Sequence, residues 1–284
     1  MKVTNHSGLP EAVVRATSFN RDPWDDPRRI SVTQLISPPQ IIELQRRHWD
    51  EIEEDASDRL WAMYGTMAHE ILRRADMADA LTEETMHMDI GGWKLQGTLD
   101  RAILLPDETL QDYKMTSVWA VKDGEPKADW ISQLNLYAHL LRAHGFNPAK
   151  LQIVAMLRDW SRAAMLRTAD YPKAQVVIVD VPLWTADDTH DFIIQALHGH
   201  ELAREGTVRQ CTDDERWAKL PKWAVMQKGR KRATRLLDTQ ALAENLAQSV
   251  GGYVEKRPGT NPRCENYCSV APFCEQYRTI NSAD

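Results

Sequence analysis

The 284-residue sequence contains no apolar run long enough to span a bilayer, and its first residues lack the pattern of a secretory signal peptide. It also contains no internal repeat and no low-complexity tract. Hydrophobic residues make up 43% and charged residues 27%, which is typical of a globular protein. We therefore expect a cytoplasmic protein without membrane contact, large enough for one enlarged domain or a domain with a subdomain.

An excess of positive charge is also missing, since the formal net charge is −6 and the pI is about 5.9. This balance is unusual for a protein that binds nucleic acid, although total charge governs solubility more than the potential of a local site. Residues 216–237 differ from the rest, because they contain eight basic residues and no acidic one. These are Arg216, Lys219, Lys222, Lys228, Arg230, Lys231, Arg232 and Arg235.

Within this basic segment, residues 222–237 predict a β-hairpin that turns at Lys228-Gly229, and Trp217 and Trp223 lie among the cations. One interpretation is a ribbon that follows a phosphate backbone and stacks unpaired bases. The other is a solvated hairpin whose tryptophans belong to the core. The first interpretation assigns DNA contacts to Lys222, Lys228, Arg230, Lys231 and Arg232.

Cysteine is scarce, with four in the chain, and three of them lie close together as Cys264, Cys268 and Cys274. Disulfides are not expected from so few cysteines in a chain without a signal peptide. Together with the distant Cys211, the trio forms a set of four thiolates that suits a tetrahedral site for zinc or an iron–sulfur cluster. Buried thiols without a metal are the alternative, but they do not predict such clustering.

The strongest signal is a series of three short motifs, Gly97-x-x-Asp100, Asp112-x-Lys114 and Gln133-x-x-x-Tyr137. Alternation and turn residues predict strands over 85–90, 93–105 and 109–115, joined by turns at Gly91-Gly92 and Pro106-Asp107. Asp112 and Lys114 then project from one face of their strand, because side chains alternate along a strand. Apolar periodicity predicts a helix over 128–143, which places Gln133 and Tyr137 on one helical face.

Two carboxylates and a lysine on neighbouring strands can hold a hard divalent cation beside an activated water, which is the minimum needed to cleave a phosphodiester. Each motif alone is weak, since an aspartate and a lysine two residues apart usually form a solvated strand face. Their order and strand–turn–strand–helix spacing favour the catalytic interpretation.

At these residues the chain resembles the PD-(D/E)XK nuclease superfamily, and specifically its RecB-like branch, which includes CRISPR-associated exonucleases, AddB-type nuclease domains and phage-encoded relatives. Residues 64–70 resemble the Gly-Thr-x-x-His segment of that branch, on a helix predicted over 56–75. The resemblance implies that His69, Asp100, Asp112 and the carbonyl of Tyr113 bind Mg²⁺ or Mn²⁺. It also implies that Lys114 activates water, with Gln133 and Tyr137 steadying Lys114 or touching the scissile strand.

The resemblance further implies a 4Fe–4S cluster on the four cysteines, although Cys211 follows the catalytic motifs where several relatives have it before them. It implies an exonuclease of DNA recombination, repair or degradation, possibly encoded by a phage, that acts on DNA with single-stranded ends beside a helicase or recombination partner. A CRISPR spacer-trimming nuclease and a non-catalytic DNA-binding subunit are the alternatives. The oligomeric state is not predicted.

The predicted fold class is α/β, with a restriction-endonuclease-like core in which helices flank a mixed central sheet. Residues 1–30 are expected to form a loosely packed arm, 31–205 the nuclease core, and 206–284 the basic hairpin and cysteine site. Further strands are predicted over 151–158 and 174–181. Further helices are predicted over 186–204 and 239–248, the second with Asp238 as its N-cap.

Overall fold

The structure of the protein is a computed structural model that describes residues 1–18, 24–75, 78–105 and 108–282. It divides into two compact units, the first formed by residues 1–46 and 50–208 and the second by residues 47–49 and 209–284. Within the described ranges, no helix combines the length and the apolar character that crossing a bilayer requires. The predicted turn at Pro106-Asp107 and the dipeptide Asp22-Pro23 of the expected arm lie outside the described residues.

The first unit contains a mixed sheet with helices packed against it. Its strands are β1 (Lys2–Thr4), β2 (Arg29–Ser31), β3 (Glu53–Asp55), β4 (Ala80–Ile90), β5 (Trp93–Ile103), β6 (Thr109–Thr116), β7 (Lys150–Leu157) and β8 (Val176–Val181). The helices that begin in it are α1 (Glu11–Thr17), α2 (Val32–Leu35), α3 (Pro39–Arg47), α4 (Leu60–Arg73), α5 (Ala128–Ala143), α6 (Arg162–Arg167) and α7 (Ala186–Arg204).

Strand β5 organises the main sheet, which has six strands. It pairs antiparallel with β4 along its whole length. Its other edge pairs first with β2, in parallel, and then with β6, antiparallel. Strand β6 continues in parallel with β7, and β8 closes the sheet antiparallel to β7. The predicted α/β class with a mixed sheet is therefore confirmed.

Helix α5 connects the parallel strands β6 and β7, as parallel pairing requires a long crossover. It is buried on more than one side, through residues such as Leu134, Leu136 and Leu140, which are almost fully inaccessible. Its bounds, and those of α7, match the predicted residues at both ends. The helix α5 was predictable because its apolar residues recur at helical spacing.

The predicted hairpin at Gly91-Gly92 is also confirmed. Ile90 pairs with Trp93, and both glycines have positive φ, +57° and +76°, as a two-residue turn of this kind requires. Strand β4 begins at residue 80, five residues before the predicted start, because its first half has the consecutive polar residues that hide strand alternation.

Residues 1–18 of the expected N-terminal arm are mostly exposed, but they are joined to a distant segment of the first unit. Strand β1 pairs in parallel with β3, and the amide of Lys2 donates to the carbonyl of Ile52 at 2.8 Å. The carboxylate of Asp55 accepts hydrogen bonds from the amides of His6, at 2.5 Å, and Ser57, at 3.1 Å. The partners lie some fifty residues along the chain, so local sequence patterns did not reveal this pairing.

The second unit contains a small antiparallel sheet of order β10-β9-β11 with one helix packed on it. Its strands are β9 (Lys222–Met226), β10 (Arg235–Leu237) and β11 (Tyr253–Arg257). Its helices are α8 (Asp213–Arg216), α9 (Gln240–Val250), α10 (Pro262–Asn266) and α11 (Glu275–Ser282). The buried centre of this sheet and helix consists of Val225, Ala243 and Ala247.

The predicted pairing of the basic hairpin is confirmed, since Arg235 pairs with Val225 and Leu237 with Trp223. The connection between the strands is longer than a turn at Lys228-Gly229 and spans residues 227–234. The predicted N-cap Asp238 is wrong. The hydroxyl of Thr239 accepts the capping hydrogen bond from the amide of Leu242 at 3.4 Å, while Asp238 forms an ion pair with Lys222.

A test of the packing of β5 against α5 is provided by Gly97. A Cβ atom at this position would lie 2.6 Å from Cε1 of Tyr137 and 3.0 Å from Cδ1 of Leu140. We expect Gly97→Ala to lower the free energy of unfolding by about 1–3 kcal/mol, as overpacked cores do. Urea unfolding measures this value. Gly65→Ala is the control, because a Cβ there meets nothing within 4 Å in helix α4, and it should be neutral or stabilising. Equal effects of the two substitutions would contradict the close approach.

Candidate active site

The centre of the site is the buried carboxylate of Asp112 on strand β6. Asp112 is 1% exposed, and Nζ of Lys114 lies 2.8 Å from its Oδ2. Burial raises the pKa of Asp112, and the ammonium of Lys114 opposes that rise. Lys114 thus compensates the charge of the buried carboxylate. Because a carboxylate offers several acceptor positions, Asp112 retains capacity to bind a cation beside Lys114.

Lys114 is held in turn by helix α5. Its Nζ donates to Oε1 of Gln133 at 3.0 Å, and Nε2 of Gln133 donates to the hydroxyl of Tyr137 at 3.1 Å. Burial raises the pKa of Tyr137, so the phenol stays protonated. The i, i+4 spacing on α5 thus forms a short chain of hydrogen bonds that fixes the position of the ammonium.

Asp100 joins the two strands of the site. It lies on β5, and its Oδ2 accepts a hydrogen bond from the amide of Tyr113 at 2.6 Å. Its Oδ1 lies 3.3 Å from Nδ1 of His69 on helix α4. The side chain is 8% exposed, so the carboxylate is nearly removed from water.

His69 lies between two carboxylates, because its Nδ1 is 3.2 Å from Oε1 of Glu83 as well as 3.3 Å from Asp100. The hydrogen bond to Asp100 raises the pKa of His69 to about 9, with Glu83 adding to the rise and burial opposing it. Without a metal, the imidazole is therefore protonated at neutral pH, and its charge offsets that of the two acids.

Glu83 is the site residue that sequence reasoning missed. It lies on β4 opposite Asp100, between the paired positions Thr82 and Glu84, and its φ of +52° is in the left-handed region. That conformation costs a residue other than glycine about 1–3 kcal/mol and is found mainly where function requires it. The sequence carries no signal for it, since one glutamate next to another on a strand is typical of a solvated face.

The donor set of the site matches a hard divalent cation. His69, Glu83 and Asp100 each offer one ligand atom, and these atoms lie within 4.8 Å of one another. Carboxylate oxygens suit Mg²⁺ and Mn²⁺, and an added imidazole favours Mn²⁺. Asp112 is outside this group of three, but its carboxylate has acceptor positions beyond the one that Lys114 occupies and is a further candidate ligand.

A family model described as the PD-(D/E)XK nuclease superfamily matches residues 23–275. The chain belongs to this superfamily. No curated protein matches the chain.

Solved structures with a similar fold include the protein SSO0001, with 16% sequence identity and a TM-score of 0.46 over 68% of this chain and 82% of that one. They also include an alkaline exonuclease, LHK-Exo, from Laribacter hongkongensis, with 14% identity and a TM-score of 0.39 over 63% of this chain and 90% of that one. The complex of LHK-Exo with dAMP gives 14% identity and a TM-score of 0.35 over 62% and 90% of the two chains.

The PD-(D/E)XK residues predicted from the sequence all lie in the first unit, where the structure brings them into two neighbouring series of contacts. One series of contacts runs from His69 through Asp100 to the Tyr113 amide on β6. A second series begins at the neighbouring Asp112 and runs through Lys114 to Gln133 and Tyr137. The contact of Lys114 with Gln133 matches one of the two predicted roles of that glutamine. The catalytic and metal-binding roles themselves stay predictions.

The four cysteines belong to the second unit. One side chain of α11 fixes the peptide of Cys211, because Gln276 accepts from the Cys211 amide at 3.0 Å and donates to its carbonyl at 2.8 Å. Burial raises the pKa of Cys211 to about 12, and Glu215, Cys274 and Cys268 add to the rise. Burial also raises the pKa of Cys264 and Cys268, with Cys274 adding to both. The four thiols are thus close enough to affect one another electrostatically.

The predicted DNA-contact residues also lie in the second unit and divide into two groups. Lys222 forms an ion pair with Asp238. The other four are exposed in the connection between β9 and β10, and within the described chain no ion pair neutralises them. They are Lys228, Arg230, Lys231 and Arg232. Trp223 packs against the small core, so the alternative that treats it as a core residue is correct for this tryptophan.

The raised pKa of His69 predicts a pH dependence of stability in the metal-free protein. A pKa raised from 6.5 to about 9 stabilises the fold fully below pH 6.5, and this stabilisation disappears as the pH rises through 9. With a chelator present, we expect wild type to exceed His69→Gln in free energy of unfolding at pH 6, and the difference to shrink by pH 9.5. Urea unfolding at each pH measures the difference. His6→Gln is the control at an exposed histidine, and a pH-independent difference for His69→Gln would refute the ion pair.

Proposed function

We propose that this protein is a metal-dependent nuclease that hydrolyses phosphodiester bonds in DNA. The observation that carries this proposal is the ion pair between buried Asp112 and Lys114, held by Gln133 and placed beside the His69, Glu83 and Asp100 group. Membership in the PD-(D/E)XK superfamily supports the same reaction class. The intact contacts of Lys114 favour an enzyme over a non-catalytic DNA-binding subunit.

The proposed cation ligands are His69, Asp100, Asp112 and the carbonyl of Tyr113. We add Glu83 because its carboxylate oxygen, the imidazole nitrogen of His69 and the carboxylate oxygen of Asp100 lie within 4.8 Å of one another. When bound, Mg²⁺ or Mn²⁺ lowers the pKa of water and neutralises phosphate oxygens. Binding of the cation by His69 requires the imidazole to release its proton, so the protonated imidazole and the bound cation exclude each other.

The chain supplies the remaining steps through Lys114. Its ammonium donates hydrogen bonds that orient the attacking water and offset the negative charge that builds up on the phosphate. Gln133 fixes the ammonium at 3.0 Å, so it does not have to reorganise during the reaction. The attacking water releases a proton to the solvent as its oxygen forms a bond to phosphorus. The bond from phosphorus to the leaving oxygen breaks, and the leaving oxygen takes up a proton from the solvent.

We propose that the enzyme is an exonuclease of DNA recombination, repair or degradation. This choice is supported by the resemblance of the Gly97, Asp112 and Gln133 motifs to the RecB-like branch. Digestion of DNA labelled at the 5′ or the 3′ end, in single-stranded and double-stranded form, distinguishes an exonuclease from an endonuclease and gives its direction.

We propose that the four cysteines bind one 4Fe–4S cluster that stabilises the second unit. A tetrahedral zinc site with Zn–S bonds of about 2.3 Å needs sulfurs about 3.8 Å apart. Among the described residues, no three thiols come within 4.8 Å of one another. The choice of a cluster over a single zinc ion is supported by the resemblance of Cys211 and the C-terminal trio to the cysteine set of the RecB-like branch.

We also propose that the exposed cations of residues 228–232 contact the DNA backbone. They project from the connection between β9 and β10, and β11 pairs with the other edge of β9 through residues such as Val254 and Val225. A bridge between Lys219 and Thr260 extends this support. A fixed base lets a cationic loop reach a phosphate backbone without ordering the whole segment.

The chemistry is tested by Asp112→Asn and Lys114→Ala. Removing an electrostatic catalytic group lowers rates by about 100-fold or more, and we expect cleavage of labelled DNA with Mn²⁺ to fall by at least that factor. Binding of the same DNA should persist. Asp89→Asn, an exposed carboxylate on β4, is the control and should keep the wild-type rate.

The role of Glu83 is separable from that of Asp112. Glu83→Gln should raise the Mn²⁺ dissociation constant, measured by calorimetry on the protein alone, because one anionic ligand is lost.

Cleavage at wild-type rates by the purified Asp112 and Lys114 variants would remove both residues from the mechanism. An unchanged Mn²⁺ affinity of Glu83→Gln would remove only Glu83 from the ligand set.

The cationic loop is tested by the salt dependence of DNA binding. Replacing Lys228, Arg230, Lys231 and Arg232 with glutamine should weaken binding and flatten the plot of log Kd against log salt concentration, by about one unit per lost phosphate contact. Anisotropy of labelled DNA at several salt concentrations measures this slope. Arg167→Gln, an exposed cation of the first unit, is the control. A slope equal to that of wild type means that the loop is only solvated.

The cysteine site is tested by anaerobic purification followed by metal analysis and a visible absorption spectrum. We expect a brown protein with about four iron atoms per chain, and Cys268→Ala should lose the colour and aggregate, because metal binding contributes to folding. Ser282→Ala, also in the second unit, should stay brown. Stoichiometric zinc in a colourless protein would favour the zinc alternative, while a folded Cys268→Ala protein from a metal-free wild type would refute both.

A further inference from the structure

An exposed tryptophan lies on the same helix as His69, two turns before it. Trp61 is 57% exposed on α4, where the eight-residue interval places it about 12 Å from His69 along the helix axis. Tyr64, one turn further on and 38% exposed, contacts the Trp61 ring edge-on, with ring centroids 5.6 Å apart. Large aromatic side chains that stay in contact with water near a candidate active site are typical of ligand contacts.

A cation fixes one side of the Trp61 ring. The guanidinium carbon of Arg158 lies 4.0 Å from the ring centroid, which is close enough for a strong cation–π contact. No carboxylate among the described residues forms an ion pair with Arg158. The ring is thus held in place on one face, its exposed part is open to a second planar group, and an unneutralised positive charge lies beside it.

The pair of Trp61 and Arg158 lies at the end of the catalytic strand. The amide of Arg158 donates to the carbonyl of Thr116 at 2.9 Å, and Thr116 is the last residue of β6, two positions after Lys114. A strand advances about 3.3 Å per residue, so the backbone of Thr116, which Arg158 contacts, lies about 7 Å along the strand from that of Lys114.

A second aromatic–cation pair follows the same strand. Trp119 is 74% exposed, and Nζ of Lys122 lies 5.0 Å from its ring centroid. The amide of Val118 donates to Oδ1 of Asp159 at 2.7 Å, which joins the segment that carries Trp119 to the segment that carries Arg158. Two exposed indoles, each with its own cation, thus occur at one end of the strands that carry the catalytic residues.

Flat rings interleaved with unneutralised cations suit a ligand that has both planar groups and regularly spaced negative charge. Unpaired nucleotides have both, since each base offers a π face and each phosphate a charge. Paired bases inside a duplex do not offer that face. An acidic peptide would satisfy the cations but leave two exposed indoles without partners.

We propose that Trp61, Tyr64 and Arg158 form a stacking platform that holds unpaired nucleotides and leads the scissile strand to Lys114, with Trp119 and Lys122 as a second contact. The substrate class is therefore DNA with a single-stranded end. This inference rests on the proposed nuclease function for its biological meaning, but the platform makes a binding prediction that does not require cleavage.

The test measures binding in the presence of a chelator, so that no DNA is cut. The probes are a single-stranded oligonucleotide that contains 2-aminopurine, which loses fluorescence when it stacks, and a blunt duplex of the same length. Trp61→Ala should raise the Kd for the single strand about tenfold and abolish the stacking-dependent fluorescence loss, because one base–aromatic contact is removed. The Kd for the duplex should change by less than about twofold.

Matched variants make the result specific. Trp61→Phe keeps a ring and should retain most of the affinity and the fluorescence loss, while Arg158→Gln should weaken binding and reduce its salt dependence. Ile178→Ala removes an apolar side chain of the same unit that is also 57% exposed, and it should change neither Kd. If Trp61→Ala fails to fold, Trp61→Phe and Arg158→Gln still decide the question.

The outcomes separate the platform from the nuclease function. Equal weakening of single-strand and duplex binding, or no change in the fluorescence loss in Trp61→Ala, would overturn the platform even if the wild type cleaves DNA. Trp61-dependent stacking in a protein that never cleaves DNA with Mg²⁺ or Mn²⁺ would support the platform and overturn the nuclease.

Discussion

The buried carboxylate of Asp112 is the constraint on which the arrangement of the candidate site depends. An ionised carboxylate that is removed from water loses several kcal/mol of hydration, so it persists only beside a compensating charge. Lys114 supplies that charge from the same face of β6. The ammonium is fixed by Gln133, Gln133 by Tyr137, and the Tyr137 ring lies over Gly97, where any side chain would displace it. Gly97 on β5, the Asp112–Lys114 pair on β6 and the Gln133 and Tyr137 side chains of α5 thus all help to hold a positive charge beside the buried carboxylate.

In the part of the site formed by His69, Glu83 and Asp100, the negative charge is compensated by a proton on the histidine. Asp100 and Glu83 place two carboxylates around one point, and the strained backbone of Glu83 is retained although it costs stability. In the metal-free protein His69 takes up a proton and supplies the missing positive charge. The proton and a divalent cation therefore compete for one electrostatic position. This competition accounts for how two close acids remain compatible with a folded protein when no metal is bound.

The residues that the sequence revealed are those whose relations are local or follow a fixed period. Asp112 and Lys114 are two apart on a strand, Gln133 and Tyr137 are four apart on a helix, and the apolar residues of α5 recur at helical spacing. Glu83 could not be predicted, because its place in the site depends on the residue opposite it on β5 and on a left-handed backbone conformation, and no local sequence pattern indicates either. The pairing of β1 with β3 stayed hidden because its partners are far apart in the chain. The N-cap of α9 is Thr239 rather than the neighbouring Asp238, because Thr239 has the extended backbone of a cap and its hydroxyl accepts from the amide of Leu242.

The second unit raises a different physical question, because it has about 80 residues and its buried apolar side chains are mostly small. Those of the described residues are Ala224, Val225, Met226, Ala243, Ala247, Val270, Ala271 and Cys274. Small side chains bury little apolar area against the conformational entropy of the chain, and small natural units often add a disulfide or a metal. Disulfides are absent, since none joins the four described cysteines. Hydrogen bonds from Gln276 to the carbonyl of Cys211, at 2.8 Å, and from Arg263 to the carbonyl of Glu215, at 3.1 Å, already hold the cysteine-bearing segments near each other. The proposed cluster would add an interaction that depends on all four thiols at once. Because burial raises the pKa of Cys211, binding of that cluster would have to displace thiol protons, and the stability of this unit would then depend on metal supply and on pH together.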